Sequence, residues 1–112
     1  MLVVTLAGLV TRTELDAFSD KVKRDPAVDP TWPALVDASA LNPGAITTEM
    51  LRARANRVRA NPVRVAIVAP ADAVFGLARM FQMMSEGRGN YIEVFRGRPE
   101  AMAWLLSGSG AA

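Results

Sequence analysis

The stretch "VRVAIVAPADAVFGLARMFQMM", residues 63–84, decides the fold class of this chain. It opens with a nearly continuous apolar run, Val65–Val68, which has the length and the β-branched content of a strand. Apolar runs without alternation are expected of strands that are covered on both faces. After Pro70 the apolar residues recur at helical spacing as far as Met84. We therefore predict a buried strand followed directly by a helix, which is the building unit of α/β domains.

The same two patterns alternate along the rest of the chain. Strand-like runs occupy Leu2–Leu6, Ala34–Val36 and Tyr91–Phe95, and helical patterns occupy residues 11–26, 46–62 and 98–106. In the first helix, Thr13 with Asp16 three residues later resembles a capping box. The order β-α-β-α-β-α-β-α predicts a mostly parallel four-stranded sheet with right-handed crossovers and about four packed helices. We predict one domain over residues 1–106 and a flexible tail over residues 107–112.

Composition removes most catalytic and metal chemistry. The 112 residues include no cysteine and no histidine, which excludes disulfides, thiolate metal sites and Ser-His or Cys-His catalysis. We expect no metal and no cofactor. The apolar start "MLVVTLAGLV" has no basic residues before it and is too short to span a bilayer, so we predict a strand of a cytoplasmic protein. Association with a membrane has no transmembrane segment to support it.

The segment "ALVDASALNPGAITTEML", residues 34–51, joins the second strand to the second helix. Asp37 ends the strand in this interpretation, and ligand sites in open α/β sheets tend to lie at strand ends. Its carboxylate either contacts a ligand or accepts hydrogen bonds from the loop amides around Ser39 and Ala40. Thr47 is either the N-cap of the helix or a phosphate acceptor, and the two roles are compatible. The candidate switch residues are Asp37, Ser39, Thr47 and Thr48.

The second helix carries four arginines. They point around most of its circumference, and no aromatic residues lie between them for base stacking, so we expect no nucleic-acid partner. Arg54 differs from the others because it falls on the apolar side of the helix. It either extends its charged end to solvent or holds a carboxylate or phosphate, which makes it the candidate anion contact.

The third helix supplies the candidate interaction surface. Most of its apolar residues fill one arc, but Phe75 and Met83 fall outside this arc, beside Arg79. An exposed Phe and Met suggest contact with another subunit or with an apolar ligand, unless a neighbouring element covers them. Gly76 lowers helix propensity, which we explain by close packing against a neighbour or by room for a ligand. The candidate surface is Phe75, Gly76, Arg79, Met80 and Met83.

These motifs resemble the SpoIIAA-like branch of STAS domains, a family named for the sporulation anti-sigma-factor antagonist. The resemblance is carried by "VAIVAPADAVFGLARMFQMM" followed by "IEVFRGRPEAMAWL", and in the first half by "VVTLAGLVTRTELDAF" and "ALVDASAL". It covers nearly the whole chain. It implies a STAS-like α/β fold in a bacterial, non-enzymatic protein.

The chain departs from the family pattern in two places that bear on function. Members usually begin with a further strand ahead of the one that starts here at Leu2. We expect either a shortened start or a sheet that lacks this edge strand, whose open edge is then a template for pairing. Phosphorylatable members carry a D-S-S-G element, which falls here on residues 45–48 when it is aligned from Asp37. Only Thr47 can take a phosphate in that position.

The residues and the resemblance together lead to two functional hypotheses. The first is a non-enzymatic regulatory or protein-interaction module that acts as a homodimer or on another protein. It requires Phe75 and Met83 to be exposed, with no cavity behind them. The second is a binder or carrier of a small apolar or lipid-like ligand, acting near membranes. That hypothesis requires a cavity of roughly 300 Å3 or more between the third helix and the sheet.

Overall fold

Four parallel strands, each followed by a helix, form the framework of this protein. The computed structural model describes residues 1–56 and 62–107. The strands are β1 (Leu2–Leu9), β2 (Ala34–Asn42), β3 (Arg64–Val68) and β4 (Tyr91–Phe95). The helices are α1 (Arg12–Arg24), α2 (Thr48–Ala55), α3 (Asp72–Met84) and α4 (Arg98–Ser107), and a short 3-10 helix (Pro43–Ala45) precedes α2. The predicted α/β class and element order are confirmed.

The ends of two predicted elements need comment. Ser107 is the last residue of α4, so it does not belong to the tail as predicted. The rest of the predicted tail, residues 108–112, lies outside the described residues. The predicted end of the second helix, residues 57–61, lies outside them as well.

The strands lie in the order β1-β2-β3-β4, and every neighbouring pair is parallel. β1 and β4 are therefore the two edges of this sheet. The register places Val36, Ile67 and Val94 in one row across β2, β3 and β4. Ala38 and Ala69 follow Val36 and Ile67 by two residues each, and they belong to one buried cluster with Ile67 and Val94.

Helices cover β3 on both faces, as its unbroken apolar sequence predicts. On one face, α3 buries a cluster formed by Ala38, Ile67, Ala69, Val74, Ala78 and Val94. On the other face, α4 buries a cluster formed by Leu35, Ala66, Val68, Ala101 and Leu105. Because successive side chains of a strand point to opposite faces, β3 contributes alternate residues to the two clusters.

The helix α2 lies beside α3 and contacts α1 through one arginine side chain. α2 packs against α3, and Arg54 of α2 donates a hydrogen bond of 2.6 Å to the hydroxyl oxygen of Ser19 in α1. No residue of α1 is fully buried. The capping box of α1 is formed by Thr11 and Glu14, so the predicted pair of Thr13 and Asp16 was wrong by two residues.

The second strand is longer than predicted, and Asp37 does not end it. β2 continues to Asn42 because its last residues pair with β1 alone, after a register shift between Thr5 and Ala7 of β1. Asp37 is instead the last residue of β2 that pairs with β3, opposite Val68. Asp37, Ser39 and Asn42 interrupt the apolar pattern after Val36 and hide this continuation. A strand segment that pairs on one side only needs no continuous apolar run.

Candidate functional site

Asp37 stands at the centre of a small polar cluster at the carboxyl end of β3. Its Oδ1 accepts hydrogen bonds from the backbone N–H of Ser39 at 2.9 Å and from the Ser39 hydroxyl at 2.5 Å. Its Oδ2 faces Nη1 of Arg98 at 3.3 Å. The side chain of Asp37 is only 21% exposed. We call Asp37, Ser39 and Arg98 the Asp37 cluster; the predicted hydrogen bond from the Ser39 amide is confirmed.

The partners of Asp37 keep its carboxylate ionised. The side-chain and backbone hydrogen bonds from Ser39, and then the charge of Arg98, lower the pKa of Asp37, and partial burial only partly opposes them. A general base works best when its pKa lies near the working pH, so a carboxylate with a lowered pKa activates the Ser39 hydroxyl poorly. Through the contact of Asp37 with Arg98, the cluster links β2 to the first residue of α4.

We predict that Asp37→Asn destabilises the protein by about 1 kcal/mol at pH 7, since it removes charge-assisted hydrogen bonds. The pKa of Asp37 is lower in the folded than in the unfolded state. The Asp37 carboxylate therefore makes its full contribution to the free energy of unfolding above its pKa in the unfolded state, about 4. That contribution is lost as the pH falls through its pKa in the folded state. Urea unfolding at pH 7 and pH 3 should show the difference between wild type and variant shrinking in acid. Asp20→Asn, at an exposed position of α1, is the control, and an equal gap at both pH values would contradict the ion-pair account.

Sequence analysis did not identify Arg98, although the register of the sheet points to it. Asp37, Val68 and Phe95 lie in one row across three parallel strands. The residues that directly follow Phe95 must then lie at the same edge of the sheet as Asp37. The Arg-Pro pair at 98 and 99 opens α4 there, which places the guanidinium beside Asp37, at the carboxyl end of β3.

Arg96, in the short loop between β4 and α4, contacts the start of α3. The Arg96 guanidinium lies 4.0 Å from the centre of the Phe75 ring and donates to the Pro70 carbonyl at 3.1 Å and to Asp72 at 2.5 Å. The N-cap residue of α3, Ala71, has no side-chain hydrogen bond. Asp72 is the first residue of the helix, and its charge favours a helix N-terminus.

Thr47 is the N-cap of α2, as one of its two predicted roles requires. Its hydroxyl oxygen accepts a hydrogen bond of 3.2 Å from the Met50 N–H. Thr48 is the first residue of the helix and is exposed. Within the described residues, neither threonine makes a hydrogen bond to the Asp37 cluster, so the four candidate switch residues do not form one site. Phosphorylation of Thr47 stays a prediction.

We predict that Thr47→Ala lowers the free energy of unfolding by about 1 kcal/mol, because the Met50 N–H loses its partner. Thr47→Asp should retain most of the stability, since aspartate also caps helices. Chemical denaturation monitored by circular dichroism measures both. Thr48→Ala is the matched control and should change stability by less than about 0.5 kcal/mol. Equal losses for Thr47→Ala and Thr48→Ala would contradict the capping role.

Arg54 contacts a carboxylate, but one of its own chain. Its guanidinium lies 3.7 Å from Asp16 and donates to the Ser19 hydroxyl, which ties α2 to α1. A cleft of about 70 Å3 lies beside it, lined by Arg12, Leu15, Asp16, Met50, Ala53 and Arg54. The candidate anion contact Arg54 and the candidate switch residue Asp37 therefore belong to different groups of polar side chains.

Two predictions about the α3 surface need correction. Phe75 is half-buried and not exposed, because it packs against the α3 cluster and the Arg96 guanidinium covers its ring. Gly76 does not serve close packing, since a Cβ atom added there would meet no atom within 4 Å. It lies instead on an open part of the helix.

The rest of the predicted surface is exposed as a stripe along α3. Gly76, Arg79 and Met83 are exposed, Met80 is half-buried, and the Met83 side chain is 61% exposed. Residues three, four and seven positions apart lie on one side of a helix. We call Gly76, Arg79, Met80 and Met83 the α3 stripe.

A larger cleft lies at the C-terminal end of α3, beside the edge strand β4. It measures about 710 Å3, and its walls include Gln82, Tyr91, Ile92, Glu93 and Trp104. Gln82 donates to the Ile92 carbonyl at 2.8 Å, while its own carbonyl oxygen is buried and has no hydrogen-bond partner among the described residues. Arg64 covers the Trp104 ring at 4.7 Å.

Neither a metal cluster nor a membrane-spanning helix is found in residues 1–56 and 62–107. No three acidic side chains of this part of the chain come together in a way that could hold a metal ion. None of its helices combines the length and the hydropathy that crossing a bilayer requires.

Comparison with known proteins gives no relative: no protein-family model, no curated protein and no solved structure matches this chain. The STAS-like assignment therefore stays a prediction that rests on the motifs quoted above.

Proposed function

We propose that this chain is a non-enzymatic STAS-like module that regulates or assembles other proteins by direct contact. The observation that carries the proposal is the α3 stripe; of the two side chains that the interaction hypothesis needs exposed, Met83 is exposed and Phe75 is half-buried. Met83 is 61% exposed on a helix whose opposite side forms the core, so its position is fixed by well-packed neighbours. Methionine side chains adapt to many partner surfaces, and an adjacent arginine adds a charged contact.

The shape of the stripe supports a protein partner. Gly76 leaves the helix surface bare one turn before Arg79 and Met80, with no atom within 4 Å of the position that a Cβ atom would take. A partner can approach the helix backbone closely there, and Met83 lies two turns, about 10 Å, further along the helix. The exposed Met83 and the half-buried Met80, one turn apart, supply the apolar surface of the stripe.

The Asp37 cluster supports a role without catalysis. Its carboxylate already has three donors and a lowered pKa, and its serine hydroxyl donates to that carboxylate. A catalytic set needs a nucleophile, a base with a suitable pKa and a stabilising group around one vacant position. Here the three side chains satisfy one another.

Photo-crosslinking in the cells that naturally express the protein tests this proposal. A benzophenone amino acid replaces Met83 in one variant and Glu49, an exposed residue of α2, in the other. We expect a discrete protein adduct from position 83 and none from position 49. Equal, diffuse labelling from both positions would contradict the proposal.

The second candidate function, binding of a small apolar or lipid-like ligand, is supported by the cleft around β4, although this cleft lies at the sheet edge and the hypothesis placed the cavity between the third helix and the sheet. Its volume of about 710 Å3 falls in the range of ligand sites, and Tyr91, Ile92 and Trp104 supply apolar surface. The same photo-crosslinker at Tyr91 distinguishes the two functions, since a carrier would give an adduct of small-molecule mass there.

A further inference from the structure

The free edge of β1 is longer and less polar than the opposite edge of the sheet, and its only irregularities are the register shift between Thr5 and Ala7 and the positive φ of Gly8. The strand has eight residues, "LVVTLAGL", with no charged residue and no proline. Leu2 donates its N–H to the Pro33 carbonyl at 2.9 Å, so Leu2 points its backbone groups toward β2. Because these groups alternate along a strand, Val3, Thr5 and Ala7 direct their N–H and C=O groups outward. All three residues are exposed.

The sheet face beside this edge is uncovered as well. Val3, Leu35 and Ala66 lie in one row across β1, β2 and β3, on the side of the sheet that α4 covers. Their exposures are 45%, 0% and 0%, so the cover of α4 ends between β2 and β1. Leu106, on α4, is also exposed, at 72%.

The opposite edge of the sheet is protected. β4 has five residues, and Tyr91 donates its N–H to the Val63 carbonyl, so only Ile92 and Val94 direct their backbone groups outward. Gln82 occupies the Ile92 carbonyl with a hydrogen bond of 2.8 Å. Glu93 adds a charge within the strand. Short length, a covering side chain and an internal charge are the means by which proteins block an edge.

We propose that β1 is a dimerisation edge, which pairs in antiparallel orientation with β1 of a second copy of this chain. The absence of charge on β1 favours this partner, since a two-fold axis places each strand against itself and identical charges would then oppose each other. The protected β4 edge prevents the alternative of β1 joining β4 head to tail, which would build an open filament. One free edge and one blocked edge lead to a closed dimer.

The outward groups of β1 define the register of the pair. With the two-fold axis at Thr5, Thr5 faces Thr5 of the second copy, and Val3 faces Ala7 of the second copy. Residues that point outward on both strands then exchange both of their hydrogen bonds. The result is a continuous eight-stranded sheet in which Val3 lies between its own α4 and the second copy.

Sedimentation velocity of the full chain tests the pairing. We expect a species of twice 12.0 kDa at about 100 μM chain. Val3→Lys should raise the dimer dissociation constant by about tenfold or more, because lysine on an edge strand opposes pairing. The double variant Val3→Lys with Ala7→Glu should restore the dimer, since the two charges face each other only between copies. Tyr91→Lys, on the β4 edge, should leave the dimer unchanged.

A cysteine variant tests the same pairing by covalent crosslinking, which detects the dimer even when its dissociation constant is high. The chain has no cysteine of its own, so Thr5→Cys introduces a single thiol. In the register above, the two thiols lie within disulfide reach and should crosslink under mild oxidation, whereas Tyr91→Cys should not. A monomeric wild type would overturn the proposal. So would a dimer that Val3→Lys leaves intact and in which Thr5→Cys forms no disulfide. The α3 stripe plays no part in it, so its failure would leave the proposed function standing.

Discussion

The Leu35→Ala variant is expected to lose about 3 kcal/mol of folding free energy, the largest effect of any conservative change that we predict. Leu35 lies in the middle of the sheet and is the largest side chain that is completely buried among the described residues. It packs with Ala66, Ala101 and Leu105 between β2 and α4. Its neighbours are mostly small, so they cannot fill the space that the truncation leaves.

Thermal unfolding measures this loss, and the midpoint should fall by roughly 10–20 °C. Leu106→Ala provides a matched control, because it removes the same atoms from an exposed position of α4. That variant should change stability by less than about 0.5 kcal/mol. Similar losses in the two variants would show that α4 does not cover Leu35 as described.

The Ala101→Leu variant should have the second largest effect, a loss of about 2 kcal/mol or more. Ala101 is completely buried where α4 lies on β3, and its neighbours Ala66 and Val68 are small. A larger side chain cannot fit without moving the helix, since protein interiors are close-packed. Because α4 carries Arg98, a displaced helix also weakens the contact with Asp37.

Urea unfolding of Ala101→Leu and Ala103→Leu separates overpacking from helix propensity. Both variants add the same atoms to α4, and alanine and leucine have similar helix propensities. Ala103 is exposed, so its variant should remain within about 0.5 kcal/mol of the wild type. Equal stability of the two variants would contradict the placement of α4.

The fold could be predicted from the sequence because its strands and helices have strong local patterns. The run Val65–Val68 predicts a strand that is covered on both faces, and α3 and α4 bury its two sides. The boundaries were less accurate where pairing, and not composition, extends an element. β2 continues beyond Asp37 only because β1 lies beside it.

The candidate site was predicted in part, and the errors have one physical cause. Hydrogen bonds between near neighbours, such as Ser39 with Asp37 and Met50 with Thr47, follow from turn and cap chemistry. Contacts between distant residues do not. The helical pattern placed Phe75 on the surface, but the pattern holds no information about Arg96, which comes from another loop and covers the ring.

Native mass spectrometry of the full chain, purified without denaturant, tests the central claim most directly. That claim is that the protein acts through contacts between proteins and not by carrying a ligand. We predict a dimer of bare chains, with no additional small-molecule mass. A monomer that carries a stoichiometric apolar molecule would contradict the claim and establish the carrier function.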